Sequence, residues 1–590
     1  MKVMTLSLGA LALSCFAVSA RAQSAADFVP QNALFSLHVP NLGQAIDGVR
    51  NAVETVCAHP ALNQALQDGL QDMSREIGFN PLQKNTWKTM GIDVARDAAV
   101  YVTMQPSGED MEPLFGFALP VTDAKVLQDF IGRMAARDRK MEWRPVEGLE
   151  GAVQPWIQSW DGEGMNAEEM ILLVKNGYAV LCGSDDDDAV IESAKLAASM
   201  GKGLSSDAVY GEALQSLGAR QGYASLRLKA LLESLRQKNA AKAAEWRKKA
   251  EEAGDDGAWM KDVAESMERE GAQINMVADL MKGFGDNFVM GASADETGVR
   301  LGTWMKGTSV AEAMKPRATH PALNALIQPN AMAALRYAMN PNLLEELFLG
   351  LPAEMKDEMD LEEAEAGLEM VNGMLGIDLV QDVWRQWSGR LQLSMAAPEE
   401  AFQQRIVDAI LEGDMNEQAA MELASMADFT IALEFVDAKG AATAVETGLS
   451  LLGESAPVLV EAKEIANGKV WSIGPDMGGD PKPIGAVAIV HNTLVAGTMR
   501  GVEGALARVG SQAALQLADA NVAKSLAEPN ATAAYLDLKP IHKLVKSLSE
   551  TIQEQELAIA EGVLMALDSL AFWQGAKGDV ARGEAVIRFR

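Results

Sequence analysis

The stretch that decides the fold begins at Gly177 and reads "GYAVLCGSDDDDAVIESAKLAA"; a second stretch of the same form, "NTLVAGTMRGVEGALARV", begins at Asn492. In each, an apolar run typical of a strand leads into a capped helix. Each is followed by a similar phrase, "LSSDAVYGEAL" in the first and "LADANVAKSL" in the second. A pattern that recurs at long spacing is the signature of a duplicated unit. The sequence therefore predicts two similar units in one chain.

Landmarks in the two stretches keep a nearly constant separation. Asp437 lies 314 residues after Asp123 (437 − 123), and Gly497 lies 314 residues after Gly183 (497 − 183). For other matched segments the number of residues between the two copies varies, as expected when loops differ in length, but the segments keep the same order. A length of 590 residues also suits two cores better than one. We expect each copy to fold around its own core.

The predicted organisation has three parts and two insertions. Residues 1–22 form a signal peptide, 27–310 the first unit and 322–590 the second. The first unit is longer than the second at about 236–267, and the second has its own extra helical segment at about 397–427. Both insertions are rich in helix-forming residues.

The predicted fold class is α+β, with two tandem copies of an antiparallel sheet covered by helices. The strongest local signal is Asn176-Gly177 between two apolar runs, which is typical of a two-residue hairpin turn. The second copy has His491-Asn492 at the corresponding place. Strands joined by such short turns must be antiparallel.

The first residues predict export. Lys2 provides a short positive region, Leu6 to Val18 an apolar one, and Ala20-Arg21-Ala22 a small-x-small cleavage pattern. No later window has the roughly 20 apolar residues of a membrane-spanning helix. We expect a periplasmic or extracellular protein without a transmembrane segment in its mature chain.

The formal net charge of −31 restricts the partners. Nucleic acid and anionic lipid surfaces repel such a polyanion at short range. The sequence thus argues against a nucleic-acid partner and leaves another envelope protein or an apolar small molecule as candidates. The sequence makes no prediction of the oligomeric state of the protein.

The segment at 236–267 is the strongest candidate for a partner-binding element. Its sequence predicts a helical hairpin that projects from the first copy, broken at Gly254 to Gly257. It carries a basic cluster on an acidic protein and two tryptophans. The candidate partner-binding residues are Trp246, Lys248, Lys249 and Trp259. The alternative is a solvated hairpin whose tryptophans pack on each other.

No catalytic motif is found in the sequence. It contains no HExxH, no GxSxG elbow and no phosphate-binding loop, and its five histidines are scattered. We therefore predict no catalytic residues, no metal site and no cofactor. Cys57 and Cys182 remain after signal removal, and the sequence leaves open whether they pair.

Three phrases resemble a known family. They are "VPQNALFSLHVPNL" near the mature start, "LGIDLVQDVWRQWSGRLQLSM" from Leu375 and "LSSDAVYGEALQSLGARQGYASLRLKALL". They are similar to bacterial exported proteins grouped as the DUF3352 domain of unknown function. The resemblance covers most of both copies, departs from the family at Tyr210 and in the insertions, and implies an exported α+β protein without assigned catalytic residues.

The sequence supports three functional hypotheses. The first is a non-catalytic envelope or periplasmic protein that acts by binding or as a structural element, and it is not an enzyme. The second is a carrier of an apolar ligand, suggested by apolar strands and 31 methionines. The third is a hydrolase with an unrecognised site, which would need a pocket with paired carboxylates of shifted pKa.

Overall fold

The structure is a computed structural model that divides into two compact units. It describes residues 24–590 except 59, 108–109, 137–140, 159–163, 167–169, 185–186, 200–202, 281–284, 308–311, 314, 316–325, 329–330, 343–360, 413–416, 456–457, 466–467, 476–482, 510–519, 528–531, 543–544 and 547–554. Unit 1 comprises Met1–Val49, Leu70–Asn275 and Asp286–Ser293; unit 2 comprises Arg50–Gly69, Met276–Gly285 and Ala294–Arg590. The predicted signal peptide lies outside the described residues.

Unit 1 is built on one antiparallel sheet. Its strands are β1 (Phe35–Val39), β2 (Ala98–Ser107), β3 (Asp110–Pro120), β4 (Met141–Pro145), β5 (Ala152–Gln158), β6 (Gly164–Asn166), β7 (Met170–Lys175), β8 (Tyr178–Gly183), β9 (Gly222–Arg227) and β10 (Asn287–Asp295). Hydrogen-bonded neighbours follow the order β10-β9-β1-β2-β3-β8-β7-β5-β4, and β6 also pairs with β5.

The helices of the first 293 residues fall between these strands. They are α1 (Leu42–Val56), α2 (Pro60–Ile77), α3 (Lys84–Thr89), α4 (Ala124–Ala136), α5 (Asp187–Ser199), α6 (Ala208–Leu217), α7 (Leu228–Ala253) and α8 (Ala258–Leu280). Ile46 of α1 and Leu127 of α4 pack with Leu172 and Ala179 of the sheet in one apolar cluster. This cluster forms part of the core of unit 1.

Local sequence signals explain where these elements begin and end. Asn176 has a φ of 52° and Gly177 a φ of 77°, so the predicted two-residue turn joins β7 to β8. At α6, the Asp207 carboxylate accepts hydrogen bonds from the backbone N–H groups of Val209 and Tyr210 at 2.8 and 3.1 Å. The helix stops at Gly218, whose φ of 71° favours glycine.

Unit 2 also contains one antiparallel sheet. Its strands are β11 (Gly298–Lys306), β12 (Ala331–Ala338), β13 (Trp387–Ala396), β14 (Phe429–Phe435), β15 (Val458–Ile465), β16 (Gly468–Pro475), β17 (Gly485–Val490), β18 (Thr493–Thr498), β19 (Thr532–Asp537), β20 (Leu567–Lys577) and β21 (Val580–Phe589). Hydrogen-bonded neighbours follow the order β11-β21-β20-β19-β12-β13-β14-β18-β17-β16-β15.

Helices cover both faces of the sheet of unit 2. They are α9 (Leu361–Leu375), α10 (Glu400–Glu412), α11 (Glu417–Met426), α12 (Lys439–Ser455), α13 (Met499–Arg508), α14 (Ala520–Ala527) and α15 (Gln555–Ala566). Val502 of α13 packs in a cluster with Ala432 of β14, whereas Val445 of α12 packs in a cluster with Leu433. Successive strand residues point to opposite faces, so α12 and α13 lie on opposite sides of the sheet.

The predicted fold class is confirmed at the level of α+β with a large antiparallel sheet. Helices are interspersed with runs of consecutive strands along the described chain, and every strand pairing described above is antiparallel. Such pairing follows from the short turns that join neighbouring strands.

No helix in the described part of the chain is both long enough and apolar enough to cross a membrane.

Candidate functional site

An apolar cavity of about 170 Å³ lies in unit 2, next to the helices inserted between β13 and β14. Its walls come from separate elements: β12, β13, α10, the end of α11 and the chain after β19. The large apolar residues that line it are Met332, Met395, Phe402, Ile406, Met426 and Ile541. Three of these six are methionines, whose flexible side chains adapt to ligands of different shape.

The insertion forms this wall because its two helices pack closely on each other. Ala409 of α10 and Ala419 of α11 are fully buried, and such small side chains allow helices to approach. The Arg405 guanidinium lies 2.9 Å from the Glu422 carboxylate and joins the two helices at their surface. Phe402 and Ile406 are four residues apart on α10, so both reach the same side of the helix and face the cavity.

Charged groups are confined to three lining residues. Glu399 forms an ion pair with Arg500 at the N-terminus of α13, and both side chains are exposed. The Asp428 carboxylate accepts a hydrogen bond from Nε2 of Gln328. The hydrogen bond from Arg500 and its positive charge lower the pKa of Glu399 below its ordinary value. Both carboxylates are therefore already engaged.

The lining of the cavity is mostly apolar and is suited to holding an apolar group. No serine, threonine, cysteine, histidine or lysine is found among the described residues that line the cavity. Apolar cavities of about 150 Å³ stay dry and admit a benzene-sized molecule. At about 170 Å³, this cavity can hold an aromatic ring or roughly six to eight carbons of a chain.

A second cluster of interest surrounds Asp97 in unit 1. Its carboxylate accepts hydrogen bonds from the hydroxyls of Ser24 and Tyr178 and from the backbone N–H of Ala25, the last at 2.8 Å. Nε2 of His38 lies 3.2 Å from the same carboxylate, and Nδ1 of His38 lies 3.4 Å from the hydroxyl of Tyr210. These contacts place an aspartate, a histidine and a tyrosine in one chain of hydrogen bonds.

The electrostatics of this cluster indicate a structural role. Burial alone would raise the pKa of Asp97, but hydrogen bonds from His38, Ser24, Tyr178 and Ala25 outweigh it and hold the pKa at about 2. Burial raises the pKa of Tyr210, which opposes its use as a nucleophile. The cluster attaches the short helix Ala25–Phe28 to the sheet.

The candidate partner-binding residues lie together on the hairpin of α7 and α8. The rings of Trp246 and Trp259 pack edge to face with centroids 5.4 Å apart. Nζ of Lys249 lies 5.0 Å from the centre of the Trp246 ring and forms an ion pair with Glu245. Lys248 is exposed, and Trp259 remains 54% exposed. The tryptophans thus pack on each other while one of them still faces solvent.

The sequence-based search missed the cavity. It singled out the acidic insertion at 397–427 but named no residue in it. One signal was available, the four-residue spacing of Phe402 and Ile406 on the helix of that insertion. The contributions of Met332 and Ile541 come from distant parts of the chain and have no local signature.

Metal and cysteine chemistry find no support in the part of the chain that the structure describes. Within it, no group of three or more His, Cys, Asp or Glu side chains could hold a metal ion. Cys57 and Cys182 are both free thiols. Burial raises the pKa of Cys182 to about 12, which makes it an unreactive core residue.

Comparison with known proteins adds little. No family model matches the chain, and no curated protein matches it. Among solved structures, the chain is similar to crystal form I of TP0453, with 8% sequence identity over 49% of this chain and 80% of that one. The TM-score of 0.20 is too low for this likeness to support an argument about fold or function.

Proposed function

We propose that the protein is an exported, non-catalytic binding protein of the periplasm or extracellular space that holds an apolar ligand in the cavity of unit 2. The observation that carries this proposal is the wall of Met332, Met395, Phe402, Ile406 and Met426 around about 170 Å³. A concave, mostly apolar space with few polar groups is the usual form of a small-molecule site.

The cavity by itself supplies a modest affinity. Burying about six methylene groups contributes roughly 5 kcal/mol at about 0.8 kcal/mol each. Before the entropic cost of association, this corresponds to a Kd of about 0.2 mM, and that cost moves the expected Kd into about the millimolar range. A longer ligand would bind more tightly if it had further contacts outside the cavity.

Native mass spectrometry of protein purified without detergent tests the proposal. We expect an adduct on the wild-type chain and its loss in Ala397→Phe, because the added ring fills the cavity that Ala397 lines. The matched control is Ala244→Phe, since Ala244 is an exposed residue of α7. A bare wild-type mass, together with no gain in thermal midpoint on adding 1-octanol, would count against the proposal.

Partner docking through the hairpin is a second candidate function. The observation that favours it is the exposure of Trp259 beside the basic residues Lys248 and Lys249. Exposed aromatic and basic residues often dominate protein interfaces. Trp246→Ala combined with Lys248→Glu should reduce co-purification of a specific envelope protein, and unchanged co-purification would remove this candidate.

We also infer that the two units arose as tandem copies. The order β10-β9-β1-β2-β3-β8-β7-β5-β4 in unit 1 corresponds strand for strand to β20-β19-β12-β13-β14-β18-β17-β16-β15 in unit 2. The turn residues Asn176 and His491 have φ values of 52° and 53°. Both values are uncommon for residues other than glycine.

Backbone hydrogen bonds support the same inference. The N–H of Leu228 donates to the carbonyl oxygen of Asp286, and the N–H of Leu538 donates to that of Asp568, both at 2.9 Å. In a crystal structure, superposing the two sheets should bring Leu228 and Leu538 together. Unrelated positions would contradict a duplication. The resemblance to DUF3352 stays a prediction from the sequence.

A further inference from the structure

We propose that the cavity of unit 2 selects an uncharged ligand and discriminates against alkyl carboxylates of the same length. This inference rests on the proposed function and specifies its ligand class. It follows from the charged groups at the cavity: two carboxylates, Glu399 and Asp428, and one guanidinium, Arg500. A ligand whose apolar end fills the cavity would place its head among these groups.

An incoming anion can bind Arg500 only by breaking the ion pair between Arg500 and Glu399. It already forms an ion pair and a hydrogen bond with Glu399, and these interactions raise the pKa of Arg500. A ligand carboxylate would have to displace Glu399 and would then lie close to two like charges. An uncharged head leaves the ion pair intact.

The environment of Asp428 adds to the discrimination. Its carboxylate accepts from Gln328, and its backbone carbonyl accepts from the N–H of Ala396 at 3.0 Å, so it is fixed at the cavity wall. Arg508 attracts Asp428, but its guanidinium donates to the carbonyl oxygen of Leu326 at 3.2 Å. Arg500 and Arg508 therefore both already donate hydrogen bonds to groups of the protein.

The expected discrimination is about tenfold. Two like charges about 6 Å apart repel by an amount that corresponds to between about threefold and about a hundredfold in affinity, depending on exposure to water. Glu399 and Arg500 are both exposed, which favours the lower part of that range.

Methyl NMR of the full chain labelled at methionine methyl carbons provides the test. Resonances of Met332, Met395 and Met426 report on the cavity. Met370 and Met374 on α9 are 69% and 60% exposed and serve as internal controls. The two probes are 1-octanol and sodium octanoate at pH 7.5. We expect both to shift the cavity resonances, with a Kd for octanoate about tenfold higher.

Variants assign the discrimination to Glu399. In Glu399→Gln the ratio of the two Kd values should fall to about threefold or less, because one like charge is removed. The matched control is Glu446→Gln, which removes the carboxylate of an exposed ion pair with Lys469 elsewhere in unit 2. In that variant the ratio should remain at its wild-type value.

The outcomes separate this inference from the proposed function. Octanoate binding as tightly as octanol, or a ratio unchanged by Glu399→Gln, would overturn the charge selection while leaving an apolar binding site. If neither probe shifts the cavity methionines up to the solubility limit of octanol, the proposed function itself fails.

Discussion

The two units contain buried polar clusters at corresponding positions of their sheets, but the clusters have opposite chemistry. In unit 1, Asp97 accepts from His38 and from groups outside the sheet. In unit 2, Arg390 lies 3.0 Å from Glu434, beside Arg336, within three adjacent strands. The same position of the sheet thus holds an acidic residue, Asp97, in unit 1 and a basic residue, Arg390, in unit 2, and each has a hydrogen-bonding partner. In unit 1 the partners are Ser24 and Ala25 at the start of the described chain together with His38 and Tyr178 of the sheet, whereas in unit 2 they come from the sheet alone.

Strand register establishes that the positions correspond. His38 lies opposite Ala99 across β1 and β2, and Arg336 lies opposite Gln392 across β12 and β13. In unit 1, Asp97 lies two residues before Ala99. In unit 2, Arg390 lies two residues before Gln392. The comparison therefore concerns one place in two sheets of the same strand order.

Breaking the ion pair of unit 2 should have the largest effect. Arg390 and Glu434 have side-chain exposures of 0% and 1%, so Glu434→Ala removes the carboxylate from a buried guanidinium. We expect a loss of about 3–5 kcal/mol in the free energy of unfolding, measured by urea denaturation. The control is the double variant Arg390→Met with Glu434→Leu, which should lose much less. A loss below about 1 kcal/mol in Glu434→Ala would show that the ion pair is not a main contributor to the free energy of unfolding.

Breaking the cluster of unit 1 should have a smaller and pH-dependent effect. The folded pKa of Asp97 is about 2, below its ordinary value of 3.8. The resulting stabilisation, about 2 kcal/mol, is present above about pH 4 and is lost as the pH falls from about 4 to about 2. Asp97→Asn should lower stability by about this amount at pH 7 and flatten that part of the pH profile. A profile identical to that of the wild type would contradict the assignment.

The sequence predicted the elements whose causes are local. The predicted turn at Asn176-Gly177 depends on neighbouring residues alone, and it is present. The cluster at Asp97 could not be predicted, because its partners are far away along the chain and Asp97 itself has no distinctive context. The same holds for the cavity, where Met332 and Ile541 meet the insertion only after folding.

Under the inferred duplication, backbone conformation and residue identity give alignments of the two units that differ by one residue. Aligning Gly183 with Gly497 requires an offset of 314 residues, whereas the positive-φ turn residues Asn176 and His491 lie 315 apart. A shift of one residue in the alignment reverses the face of the sheet to which each strand side chain is assigned. Similar residue types cannot reveal such a shift, but backbone conformation does.

The helical insertion of unit 1, at 236–267, should contribute little to the stability of the fold. Replacing 236–267 in unit 1 with a short Gly/Ser linker should change the thermal midpoint by only a few degrees, or about 1 kcal/mol. The reason is that Trp246 and Trp259 pack on each other within the hairpin. Differential scanning calorimetry checks this. Collapse of the whole fold would show that the hairpin packs as core.

The most direct test of the account compares ligand binding after removal of each insertion. Two full-length variants replace 236–267 or 398–427 with a short Gly/Ser linker, and calorimetric titration with 1-octanol measures binding in each, with Ala397→Phe as a point variant that keeps α10 and α11. The account predicts wild-type affinity without the insertion of unit 1, and at least about a tenfold loss both without the insertion of unit 2 and in Ala397→Phe. Unchanged binding in Ala397→Phe, or loss of binding on removing only 236–267, would contradict it.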